Sequence, residues 1–220
     1  MVAVPLRLSR IPDPPLLLVT DRRQARRPLD EIVAAAIAAG CRWISVREKD
    51  LPEDEQTLLA RRLLPVVRRA GARLLIHGEA ALAELAGADG VHLSANADAA
   101  AARARLGRDK LIGISIHSVG EAAAIVPIHV DYALAGPAFE TPSKPGYGPE
   151  IGHKGLAEIA GTAPVPVLAI GGVNALRVPE LIAAGAAGVA VMGGVMRAAD
   201  PGTEVRSLIA ALRGSPATGA

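Results

Sequence analysis

The chain has 220 residues, of which 50% are hydrophobic, 21% charged and only 2% aromatic, with a formal net charge of +2. This length suits one large α/β domain whose core is assembled from Ala, Val, Leu and Ile. Arg residues scattered through amphipathic segments, without interleaved aromatics, argue against a nucleic-acid surface and leave small anionic ligands compatible. The one cysteine, Cys41, rules out an internal disulfide, fits a reducing compartment and reads as packing ahead of a strand.

In chain order, residues 1–15 contain Pro5, Pro12, Pro14 and Pro15 and lack the apolar run of a signal peptide. They are read as an N-terminal extension. No later segment is an uninterrupted membrane span, so a soluble, cytoplasmic protein with no membrane partner is expected. "LLLVT" (16–20) has a buried-strand pattern, and "LDEIVAAAIAAG" (29–40) has helical apolar spacing ended by a glycine. The pair then recurs. "RWISVRE", "ARLLIHG", "ADGVHLS", "KLIGISIHS", "VDYALAG", "VPVLAIGG" and "AGVAVMGG" are further short strand-like runs. Helical stretches are expected over 53–70, 79–86, 97–106, 119–126, 154–160, 175–184 and 203–212.

About eight strand–helix units in alternation predict a single-domain (β/α)8 TIM barrel over 16–213, followed by a frayed tail at 214–220. An open doubly wound sheet is the other architecture of this pattern, but "VTDRRQARR" lacks the glycine fingerprint it needs after the first strand.

In a barrel the chemistry sits on the loops after the strands. "AIGGVNA" and "VMGGVM" each place a Gly-Gly pair after a strand and before a helix, where bare N–H groups suit a phosphate. In "SVREKD", alternation aims Arg47 and Lys49 the same way, toward the mouth, although such a charge run is also what a solvated face looks like. Arg47 suits a carboxylate or diphosphate. The loop over 135–152 is long and rich in Pro and Gly, as binding loops and lids are, and offers Thr141, Ser143 and Lys144.

Of five histidines, His129 and His153 read as surface residues and His92 as a satisfied core residue. His77 and His117 end strands 3 and 5, and either imidazole could shuttle a proton. No metal site is expected. There is no HExxH or Cys/His cluster, and the ends of strands 3 and 4 carry Gly78, Ser94 and Ala95 with Asp98 the one nearby acid.

Taken together, "REKD", "ADGVHL", "IGISIHS", "GPAFETPSK" and "AIGGV", in this order and spacing, resemble the thiamine phosphate synthase superfamily from "LLLVTD" to "GVAVMGGV". The superfamily holds a synthase, which joins a pyrimidine diphosphate to thiazole phosphate with Mg²⁺, and a thiazole tautomerase, which needs no metal. The synthase pattern has Gln where this chain has Ser45. It has Asn-Asp where this chain has His77-Gly78, and Gly-Gln-x-Asp where this chain has Ser94 to Ala97.

Both metal aspartates are absent at the matching positions, while "SIHS" and "FETPSKPG" are similar to the tautomerase motifs. The resemblance therefore implies a thiazole tautomerase of thiamine biosynthesis, with no cofactor and a small phosphorylated thiazole as substrate. Mg²⁺ enters only under the synthase alternative. A non-catalytic phosphate-binding relative is the third reading, and a homo-oligomer stays open. His117 is the implied acid/base; Gly172, Met192, Gly193 and Gly194 hold the phosphate, and Arg47, Lys49, His77, Ser115, Thr141, Ser143 and Lys144 border the substrate.

Overall fold

The computed structural model describes residues 10–141 and 149–214. Eight short strands form a closed barrel in sequence order: β1 (Leu16–Val19), β2 (Trp43–Val46), β3 (Arg73–His77), β4 (Gly90–Leu93), β5 (Leu111–Ile116), β6 (Tyr132–Ala135), β7 (Val167–Ile170) and β8 (Gly188–Val191). Every neighbouring pair is parallel, and β8 closes on β1 with Leu17 opposite Ala190. The expected (β/α)8 barrel is therefore the fold.

Between the strands lie α1 (Leu29–Ala38), α2 (Glu53–Arg69), α3 (Ala80–Ala86), α4 (Ala99–Leu106), α5 (Val119–Ala123), α6 (Gly152–Thr162) and α7 (Val178–Ala183). After β8 come α8 (Gly193–Met196) and α9 (Pro201–Leu212).

The strands read as continuous apolar runs because both faces are covered. Alternate residues divide between two layers. Leu17, Val19, Trp43, Leu75, Leu111, Tyr132, Leu134, Leu168 and Ala190 fill the barrel, while Leu16, Leu18, Ile44, Val46, Leu74 and Ile76 face the helices. The longest helix, α2, carries Glu53, Asp54 and Glu55 in its first turn and Arg68 and Arg69 in its last, complementing its dipole.

The barrel floor is set by the segment before β1. Ile11 packs against the interior cluster. Arg10 donates to Asp131 Oδ1 at 2.9 Å and to the Asp109 carbonyl. Asp131 also takes Arg103 Nη2 at 2.6 Å and the Ile112 N–H at 2.8 Å.

Several helix boundaries differ from the sequence expectation; α4 starts at Ala99 in place of 97, and α6 runs Gly152–Thr162 in place of 154–160. Helix α5 stops at Ala123 ahead of Pro127, since the residue before a proline is pushed out of the helical region. Helix α7 begins at Val178, not at 175, because the Asn174 side chain accepts the Arg177 N–H and closes a turn first. The one-turn α8 was not expected separately, and α9 starts early, with Asp200 as N-cap and Pro201 at its first turn.

Candidate active site

The C-terminal ends of the strands and the loops after them enclose a cavity of about 640 Å³. Arg47 and Lys49 both line it, as alternation along β2 predicts. Glu48 turns the other way and is 1% exposed. Its carboxylate accepts the Thr20 hydroxyl at 2.6 Å and the Arg22 N–H at 2.9 Å. Thr20 Oγ1 in turn accepts the Arg47 N–H at 3.0 Å, so this buried clamp fixes the backbone that presents Arg47. Burial pushes the Glu48 carboxyl above its ordinary range, with the Thr20 and Arg22 bonds pulling it back. Partial burial and then the neighbouring Arg47 charge hold the Lys49 ammonium below its usual range.

Both Gly-Gly pairs reach the cavity, but they differ. Gly193 and Gly194 open α8, with Met192 Sδ 3.9 Å from Arg47 Nη1. The first pair opens no helix, which corrects the expectation for it. Gly171 and Gly172 sit in the loop after β7 with φ of +100° and +63°, a region only glycine enters cheaply. A Cβ on Gly172 would lie 2.7 Å from the Glu140 carbonyl oxygen and from Phe139 Cβ. Arg177 seals this turn by donating to the Gly172 carbonyl at 2.8 Å while its guanidinium lies 4.3 Å over the Phe139 ring.

His117 is exposed at the mouth. Its Nδ1 is 2.6 Å from the Gly136 carbonyl, which only accepts, so Nδ1 carries the proton and Nε2 is the basic nitrogen. The His117 N–H donates to Glu121, which also gives its own N–H to the Ser118 hydroxyl at 3.2 Å. His77 and Ser115 line the cavity deeper in. His92 is the satisfied core residue its sequence context predicts, bonded to Tyr132 and Ser115 and fully buried. Thr141 lines the cavity, and Ser143 and Lys144 lie outside the described residues.

Sequence reasoning missed Glu121, Arg177 and Arg197 at the mouth. A signal for Glu121 exists: "SVGE" is a capping box, Ser-x-x-Glu, at the start of α5. Arg177 and Arg197 carry no motif and are placed by the β7 and β8 loops. Asp98 does not face the cavity; its carboxylate caps α4 by accepting the Ala101 N–H at 2.9 Å. Among the described residues there is no group of three or more His, Cys, Asp or Glu able to hold a metal ion. Nor does any helix there have the length and apolarity to cross a membrane.

Comparison with known proteins matches the chain to a family. Residues 16–195 match the family described as thiamine monophosphate synthase, TMP-TENI. A Geobacter sulfurreducens protein provisionally named a thiamine-phosphate synthase is 44% identical over 90% of this chain and 93% of its own length. The thiamine-phosphate synthase of Roseiflexus sp. strain RS-1 is 40% identical over 89% of this chain and 84% of its own. Among solved structures, thiamine phosphate pyrophosphorylase from Pyrococcus furiosus superposes with a TM-score of 0.80 at 29% identity, covering 93% of this chain and 96% of the other. These names correct the emphasis drawn from motifs: they favour the synthase activity and give the tautomerase branch no specific support. The chain belongs to the thiamine monophosphate synthase family.

Proposed function

We propose that the protein is a thiamine-phosphate synthase, joining a pyrimidine diphosphate to a thiazole phosphate with loss of diphosphate. The observation that carries this reading is the balance of the mouth. Arg47, Lys49, Arg177 and Arg197 converge with Gly172, Gly193 and Gly194 on a cavity of about 640 Å³, against the carboxylates of Glu121 and Glu140. That volume lies in the range of sites for drug-sized ligands and leaves room for two small substrates side by side. Their phosphate and diphosphate groups suit a mouth lined by more cationic than carboxylate side chains. The names of relatives at 40–44% identity support the same activity.

The family resemblance implies Mg²⁺, and the donors present do not fit a protein-held ion. His77 ends β3 with Gly78 next, and Ser94, Ala95 and Asn96 follow β4, with Asp98 engaged as a helix cap. Mg²⁺ asks for oxygen ligands, usually one or two of them carboxylates. In this reading Arg47 and Lys49 bind and orient the diphosphate, the glycine loops give N–H groups to the thiazole phosphate, and His117 faces the joined rings.

A second reading, thiazole tautomerase, is favoured by one specific observation: His117 at the mouth has its Nδ1–H fixed by Gly136, which makes Nε2 a proton acceptor. A single positioned base typically contributes roughly 10²–10⁴-fold. Product analysis separates the two. The synthase reading expects diphosphate release and thiamine phosphate from the pyrimidine diphosphate and thiazole phosphate. Conversion of thiazole carboxylate phosphate tautomer instead, resistant to chelator and abolished in His117→Gln, would overturn it in favour of the tautomerase.

A further inference from the structure

Below the mouth, three polar side chains are hydrogen-bonded in series inside the barrel. Tyr132 Oη is 3.1 Å from His92 Nδ1, and His92 Nε2 is 2.9 Å from Ser115 Oγ. Tyr132 and His92 are both 0% exposed, whereas Ser115 is half-buried and lines the cavity. Direction along the line follows from the donors available. A buried phenol O–H has to donate, and His92 Nδ1 is the acceptor within reach of Tyr132 among the described residues. Nδ1 then carries no proton, so Nε2–H donates to Ser115 Oγ. The serine's own O–H is left to point elsewhere, and the cavity is where Ser115 is open.

We propose that His92 is a positioning residue: a Tyr132→His92→Ser115 relay that holds the Ser115 hydroxyl as a hydrogen-bond donor to the anionic ligand in the mouth. This rests on the reading of the mouth as a phosphate site.

Two features of the packing keep the relay in one state. Burial drives the His92 imidazole down to about 3 and the Tyr132 phenol well above its usual 10, so both stay neutral at working pH. The Tyr132 ring is held in place by Trp43, edge-on at 4.6 Å, and lies against Gly113 of β5, its register partner, where a Cβ would come within 2.1 Å of Tyr132 Cζ. His77 closes the line from the side, its ring 4.7 Å from that of His92.

Two measurements on the intact protein test the relay. Nitrogen-15 spectra of the His92 imidazole should show a neutral, Nε2-protonated ring in the wild type and a mixture of tautomers in Tyr132→Phe. Calorimetry with inorganic diphosphate as probe should show Ser115→Ala weakening binding about 10-fold, the size of one hydrogen bond to a charged group. Tyr132→Phe should weaken it by a smaller factor, and the double variant should bind no more weakly than Ser115→Ala alone.

An Nδ1-protonated ring in the wild type, or fully additive losses, overturns the relay. If Tyr132→Phe does not fold, the wild-type spectrum alone decides. Absence of diphosphate binding by the wild type overturns the reading of the mouth, and the imidazole spectrum still decides the relay.

Discussion

Removing the carboxylate of Asp131 should separate stability from function. Its side chain is 6% exposed and sits at the floor of the barrel, just before β6. It holds Arg10 at 2.9 Å, Arg103 at 2.6 Å and the Ile112 N–H at 2.8 Å. Asp131→Ala leaves the Arg103 side chain, 11% exposed, without its counter-charge. Breaking a buried pair by deleting one partner costs about 3–5 kcal/mol. Arg103 keeps the Gly107 and Lys110 carbonyls at 2.8 and 2.7 Å, which places this case at the lower end, about 3 kcal/mol. For a chain of this size that corresponds to a Tm lower by roughly 6–12 °C.

Thermal unfolding followed by far-UV circular dichroism checks the shift, and calorimetry with inorganic diphosphate checks the mouth, whose affinity should not change. A Tm within about 2 °C of wild type would refute the assignment of the charge cluster as structural. A parallel loss of diphosphate affinity would refute the division between a stabilising floor and a functional mouth.

Three further outcomes are expected. Gly113→Ala should lose about 1–3 kcal/mol in urea unfolding, because the added methyl meets a Tyr132 ring already backed by Trp43; wild-type stability would mean the ring can yield. Cys41, 0% exposed and with its thiol pushed by burial to about 11, should resist an aromatic disulfide reagent at mildly alkaline pH until the protein is unfolded. Rapid stoichiometric labelling of the native protein would contradict that burial. Because the folded Glu48 carboxyl sits above its unfolded value of 4.5, the native state binds its proton more readily, and stability falls as pH rises through that window. In urea titrations the advantage of wild type over Glu48→Gln should therefore shrink with rising pH, and a constant difference would remove Glu48 as the source.

The barrel was legible because it is written locally. Each strand is a short apolar run and each helix has its own period, so order and closure follow from counting units. The same locality placed Arg47 and Lys49, two apart just after β2, and His117 just after β5. What stayed hidden depends on register between strands. Nothing near "GVHLS" says that His92 meets Tyr132, 40 residues later, and Ser115, 23 residues later; only the pairing of β4 with β5 and β5 with β6 brings them together. Arg177 was hidden for a related reason. Its place depends on where α7 starts, and the Asn174 turn moved that start past the expected boundary.

The choice between two chemistries was not legible in the motifs. The substituted positions at Gly78 and Ala97 speak of what is missing, and a missing ligand does not name the reaction that remains.

Trp43 is the chain's one tryptophan, buried at 0% exposure inside the barrel and in edge contact with Tyr132. All indole emission therefore originates from a single point linked to Ser115 through two intervening side chains, Tyr132 and His92. The protein carries its own optical reporter on the inner wall of the sheet. Its quenching or shift on adding a phosphorylated ligand would register a rearrangement of the ring stack beneath the mouth, without any label being attached.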